Sequence, residues 1–274
     1  KMSLYLGELP YTVLILQLWL KNSEGEIMAL IGFDEYHMGP SMANPDADGL
    51  SSLAKILEKS NHKLEMIQDE YDITQELPWD VIVIPFPKEK FSVEEMMALQ
   101  THLRSGKSIL LLAEWGDLYG HVDYLNELTK TFGIEIQKDR VTDHQQHITK
   151  KMELGGVVLG EKEVPHYVKI TNFAEHEITS GVNQLIYFSG CSLKISEPAF
   201  TIAATSESSF GDIDLDSELD DDEIQGELTI AAASEINGRL FVIGDSNIAA
   251  NGYIEQGDNL LFMQQVIDWL AHKN

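Results

Sequence analysis

From residue 26 onward, short apolar runs alternate with stretches of helical period, and that alternation constrains the fold more than any other feature of the chain. IMALIGF (27–33), VIVIPF (81–86) and SILLL (108–112) are nearly continuous apolar segments, the pattern of strands buried on both faces. KLEMIQ (63–68) supplies a further strand. Between them, Leu50, Leu53, Ile56 and Leu57 fall at helical spacing, and Ser92 with Glu95 forms a capping box that opens a helix ending at Gly106. A further helix is expected over 120–132. The second half is richer in β-structure, with strands expected at 156–160, 184–190, 200–206, 228–236 and 239–245, and an amphipathic helix over 259–272. The expected class is α/β: a mostly parallel sheet with helices on both faces.

Charge narrows the partners. The 274 residues include 45 acidic and 19 basic side chains, a formal net charge of −26. That field repels phosphate, so nucleic acid and anionic membrane are not expected as partners, whereas cations are compatible. Cys191 is the only cysteine, which excludes an internal disulfide and reads as a small buried apolar residue. The apolar run YTVLILQLWLK (11–21) is too short to span a bilayer and lacks a basic flank and a cleavage site, so neither membrane insertion nor a signal peptide is expected. Residues 1–25 read as a strand or extension from a preceding module, and 26–274 as a single α/β domain. The compartment, cytoplasmic or exported, stays open.

In open parallel sheets ligands bind beyond the carboxyl ends of the strands. Three such ends carry polar groups: Asp34, Glu35 and His37; Glu114 and Trp115; and Asp245 and Asn247. A doubly wound sheet would gather them in one cleft. Asp34, His37 and a carboxylate from Glu114 or Asp245 would then suit a metal, or Glu114, Asp34, His37 and Asp245 would serve as acids and bases. The plainest alternative is that they cap helices and tie loops. Between Leu112 and Asp117 there is no Ser, Cys or Thr to act as a nucleophile. GDSN (244–247) has the letters of a serine-esterase block but follows the last strand instead of the first. His144 and His147 would share one face if the segment were helical. Asp212, Asp214, Asp216, Asp220 and Glu223 occupy positions 1, 3, 5, 9 and 12 of a calcium-loop pattern, but Ser217 replaces its central glycine and the flanks look like strands. Calcium is nonetheless the one candidate cofactor.

The blocks GFDEYHMG, LLLAEWGD, YLNELTKTFGIEIQKDRV, YFSGCSL and GRLFVIGDSNIAANGYIEQGDN together resemble a glutamine-amidotransferase-like domain. The resemblance is to the domain behind the protease domain of site-one protease, a subtilase, and its bacterial and archaeal relatives, over roughly 27–272. A looser similarity, over about 26–120, links the chain to the amidotransferase-like domain of gliding-motility and intraflagellar-transport proteins. The resemblance implies a flavodoxin-like, class I glutamine amidotransferase-like sheet. It also implies that Glu114 stands near the nucleophile position and Asp245-Ser246-Asn247 near the His-x-Glu position, so glutamine hydrolysis is not expected. The expected function is a non-catalytic accessory domain for a protein partner, a small molecule or sugar, or a cation. The alternative is a glycan-directed or metal-assisted hydrolase, which requires open carboxyl groups within about 10 Å of each other.

Overall fold

The computed structural model describes residues 28–154 and 157–271. Residues 1–25, expected to form a separate strand or extension, lie outside the described residues. The first half contains β1 (Leu30–Asp34), α1 (Ser51–Lys59), β2 (Lys63–Ile67), β3 (Val81–Pro85), α2 (Val93–Arg104), β4 (Ser108–Leu112) and α3 (His121–Thr129). The second half contains β5 (Ile134–Ile136), β6 (Arg140–Thr142), β7 (His147–Leu154), β8 (Val157–Ile170), β9 (Asn172–Phe173), β10 (Leu185–Phe188), β11 (Leu193–Ile195), β12 (Phe200–Ala204), β13 (Phe210–Asp212), β14 (Thr229–Ile236), β15 (Gly238–Ile243) and α4 (Asn259–Ala271).

The period of two explains the unbroken apolar runs. In β3, Val81 and Val83 point to one core while Ile82 and Ile84 point to the other; in β4, Leu110 and Leu112 are answered by Ile109 and Leu111 on the opposite face. One core is closed by Leu50, just before α1, by Leu53 and Leu57 of α1, and by Phe262, Val266 and Ile267 of α4. The other is closed by Leu99 and Leu103 of α2 and by Val122, Leu125 and Leu128 of α3. Each fully buried Leu or Ile contributes about 1.5–3 kcal/mol, so both faces of these strands must be apolar. Gly32 in the middle of β1 leaves room for Ile67 and Trp79, which a β-carbon there would strike.

The large sheet runs β2-β1-β3-β4-β15-β14-β11-β5, with β12 and β9 branching from β14. β2, β1, β3, β4 and β15 are parallel; β14, β11 and β5 continue antiparallel. The expected α/β class with helices on both faces is therefore present, joined to an antiparallel half. At the outer edge, Asn126 of α3 accepts from the Ile136 N–H at 2.8 Å and donates to its carbonyl at 2.9 Å, so a side chain takes the place of a further strand. Of the strand expected at 156–160, residues 157–160 fall in β8, which runs on to Ile170 and pairs with β7 and then β10. His144 lies in an irregular bend and His147 opens β7, so the two do not share a helical face.

Candidate functional site

The polar groups at the strand ends form two separate clusters. Asp34, His37, Glu114 and Asp245 are 1, 1, 5 and 0 % exposed. β3 lies between β1 and β4, and among the described residues no hydrogen bond or ion pair joins Asp34 or His37 to Glu114 or Asp245. The acids expected to share one open cleft are instead buried and held in two separately bonded groups.

At the end of β1, the chain turns back on itself and the Asp34 carboxylate accepts from the His37 backbone N–H at 3.0 Å. The same carboxylate accepts from His37 Nδ1 at 2.8 Å and from the Tyr71 hydroxyl at 2.8 Å. His37 Nε2 faces Glu95 Oε1 at 3.3 Å, without hydrogen-bond geometry. Glu95 also completes the capping box of α2, its Oε2 accepting from the Ser92 N–H at 2.8 Å. The imidazole stacks on Phe91, ring centres 3.8 Å apart. Burial alone would lower the His37 pKa, but the hydrogen bond and charge of Asp34 and the charge of Glu95 outweigh it and raise the pKa above its ordinary value. Glu35 is spent on the adjacent turn, accepting from the Ser41 hydroxyl and the Met42 N–H.

At the neighbouring ends of β4 and β15, Glu114 Oε2 accepts from the Ser246 hydroxyl at 2.8 Å and from Asn247 Nδ2 at 3.1 Å, while Oε1 accepts from the Trp115 N–H at 3.2 Å. Asp245 accepts from the Phe188 N–H at 2.5 Å and the Asn247 N–H at 2.9 Å, which ties β10 to the end of β15. Gly244 permits this approach, because a β-carbon would strike the Cys191 carbonyl and the Tyr187 hydroxyl. Among the described residues no salt bridge to a basic side chain is seen at either acid. Burial, and then the charge of Asp245, raise Glu114 well above the usual carboxylate range. Burial likewise pushes Asp245 up to about 6, against the pull of the backbone N–H groups it accepts from. Cys191 is fully buried and its thiol is pushed up by burial, which leaves no accessible thiolate.

The acidic loop brings carboxylate oxygens of Asp212, Asp214 and Asp216 within 4.8 Å of one another. Asp212, however, is buried and accepts from Arg140 Nη2 at 2.5 Å and from the Leu215 and Ser217 N–H groups. Glu223 accepts from the Ile213 and Asp220 N–H groups, fastening the loop to itself. Leu215 and Ser217 adopt left-handed backbone, φ 70° each, and Ser217 does so at the position where a calcium loop of the expected type has its central glycine. The sequence reading missed Tyr71 and Glu95 as partners of His37. It also missed Asp143, whose carboxylate accepts from the hydroxyls of Ser206, Ser208 and Ser209. The serine-rich SESS segment (206–209) was the available signal for that cage.

The sequence profile of the IFT52 GIFT domain matches residues 42–274. The chain belongs to the IFT52 GIFT domain family. Relatives include the intraflagellar transport protein 52 homologs of Mus musculus, 24% identical over 260 residues, and of Homo sapiens, 23% identical over 255 residues. Each alignment covers 90% of this chain, but only 57% of the mouse protein and 55% of the human one. Among solved structures, the mmIFT52 N-terminal domain superposes with a TM-score of 0.69 at 22% identity, covering 89% of this chain and 98% of that one. That likeness shows a common fold.

Family membership corrects the sequence reading. The stronger resemblance drawn there, to the subtilase-associated domain, is overturned. The GIFT match extends along the whole second half, whereas the looser similarity to intraflagellar-transport proteins was confined to about 26–120. The amidotransferase-like accessory role and the hydrolase alternative fall with it. The GIFT relatives are named for transport, and the carboxyl groups that a hydrolase would need are buried and hydrogen-bonded by their own neighbours.

Proposed function

We propose that this chain is the N-terminal module of an intraflagellar-transport protein and acts through protein–protein contact, without catalysis. Family membership over 42–274 carries the reading. The strand ends support it: every strand-end acid named as catalytic is held by donors from its own fold, so nothing there is left to engage a substrate. We also read the parallel half as flavodoxin-like, since its order β2-β1-β3-β4-β15 corresponds to the 2-1-3-4-5 winding of that fold. The partners would then be proteins, and the place of action the cilium or flagellum. No helix among the described residues is long and apolar enough to cross a membrane.

A chimaera tests this. In ciliated mouse cells depleted of the IFT52 homolog, the matching segment of that protein is replaced by this chain, with a fluorescent tag. Processive movement along the cilium is the expected result. A tag that only diffuses, with no restored ciliary entry, would overturn the reading.

A further inference from the structure

One spot on this acidic molecule runs against its overall charge. β8 pairs with β10 only over residues 167–170; from Val164 outward it pairs with β7 alone, forming a two-stranded ribbon. Two-stranded ribbons are marginal without a covering layer. On one face of the ribbon Lys151 stands opposite Glu161, a favourable cross-strand pair. On the other face Lys150 stands directly opposite Lys162, a repulsive one. Both lysines are exposed, and among the described residues neither forms an ion pair.

The surroundings extend the patch. Lys150 Nζ lies 4.0 Å above the centre of the Tyr167 ring, within cation–π range. Tyr167 packs on Phe188 at 5.1 Å, and Phe188 on the half-exposed Tyr253 at 4.5 Å. The patch therefore continues from the ribbon to the loop that follows β15. Neighbouring His166 reports the local field: burial first, then the charges of Arg140, Lys150 and Lys162, lower its pKa, opposed by Asp212. The result is a basic, aromatic surface on a chain of net charge −26.

Charge complementarity selects the occupant. An anionic membrane or a nucleic acid would extend beyond the patch into the acidic remainder, within the roughly 8 Å over which charges act at physiological salt. A short segment confines its acids to the lysines. We propose that the ribbon face carrying Lys150, Lys162 and Tyr167, with Tyr253 beside it, docks a short acidic segment of a partner protein that places an aromatic residue among its acids. This rests on the reading of the chain as a protein–protein assembly module. It adds where the contact is made and what chemistry the partner presents.

The probe is a fluorescent heptapeptide of Glu and Asp around one Phe, titrated with the protein and followed by anisotropy. Saturable binding that weakens with added salt is expected. The double variant Lys150→Glu/Lys162→Glu should weaken it about tenfold or more, as loss of close charge pairs does. The swap Lys151→Glu/Glu161→Lys, on the opposite face, should leave it within about twofold, as expected for rim charges away from the contact. Both variants are exposed substitutions and should retain the unfolding midpoint. Absence of binding by the natural chain, equal binding by the double variant, or equal binding of the Lys analogue of the peptide would overturn the proposal. So would tighter, Lys150/Lys162-dependent binding of phosphatidylserine vesicles or duplex DNA. A chimaera that moves along cilia while the peptide fails to bind would remove this proposal alone. A diffusing chimaera with a peptide that binds would remove the transport reading alone.

Discussion

The two strand-end clusters solve the same problem, buried acid, in opposite ways. At the end of β1, an imidazole lies between two carboxyl groups, with Asp34 on Nδ1 and Glu95 facing Nε2. At the ends of β4 and β15, two acids adjoin with no ion pair to a basic side chain among the described residues, and hydroxyl, amide and backbone N–H donors take their oxygens. The first arrangement sets an imidazole of raised pKa between two acids; the second leaves two adjoining acids whose own pKa values burial raises. Burial of an unpaired charge is so costly that one of these devices is required wherever a strand end carries an acid inward. Among the described residues, the Asp34, Glu114 and Asp245 carboxyl groups all accept hydrogen bonds from donors of the fold itself.

Removing the imidazole should have the largest effect. His37→Ala leaves Asp34 and Glu95 buried without their shared cation, and breaking buried pairs costs about 3–5 kcal/mol. Denaturant unfolding reads this as a lower midpoint at unchanged slope. A loss near zero would show that His37 is not the compensating charge. Asp245→Ala should cost less, about 1–3 kcal/mol, because the Phe188 and Asn247 N–H groups lose their acceptor but no ion pair is broken. If it cost more than His37→Ala, the contrast between the clusters would be inverted.

Their pH windows separate them further. A raised His37 stabilises the fold fully below its unfolded pKa of about 6.5, and that contribution is lost as pH rises through the higher folded value. A raised Asp245 also makes the folded state bind the proton more tightly, so stability falls as pH rises from about 4, the unfolded value, to about 6, the folded one. Both clusters thus weaken the fold as pH rises, over adjoining ranges. Asp245→Asn should flatten the lower range and His37→Gln the upper one, in unfolding free energies measured from pH 4 to 8. A variant that flattened the other range would reverse the assignment.

The smallest expected effect lies in the acidic loop, whose acids are handled in a third way. Because Arg140 already occupies Asp212, Asp214 and Asp216 are the two members of the close trio without an ion pair among the described residues, and saturating calcium should add less than about 1 kcal/mol to stability. A larger rise, abolished in Asp214→Ala/Asp216→Ala, would show that the ion displaces Arg140 and makes the loop a calcium site.

The parallel half was legible because double burial removes polar residues from both faces of β3 and β4 and writes itself as unbroken apolar sequence. β7 and the outer part of β8 were not. In HITKKMEL, Ile148, Met152 and Leu154 alternate with Thr149, Lys151 and Glu153, but Lys150 interrupts the series and the β7–β8 register shifts between Met152 and Glu153, so the period is too broken to read. β5 and β6 are three residues each, too short for any period. At the site, the sequence named the acids but not their partners. Tyr71 lies 37 residues from Asp34, Ser246 lies 132 from Glu114 and Arg140 lies 72 from Asp212, separations that only the folded topology closes. The expectation of one open cleft did not foresee that each acid would be buried and bonded within its own group, on strands that β3 separates.

Accessibility of the strand-end carboxyl groups tests the central claim most directly. Carbodiimide coupling of a small amine, followed by mapping of labelled peptides in the folded protein, distinguishes locked acids from open ones. Exposed Asp46 and Glu89 should label fully, while Asp34, Glu114 and Asp245 should stay unlabelled until the protein is denatured. Protonated carboxyl groups react readily with carbodiimide, so protection of Glu114 and Asp245 can come only from their enclosure. Labelling of Glu114 or Asp245 in the native protein would contradict the account and reopen the strand ends as a working site.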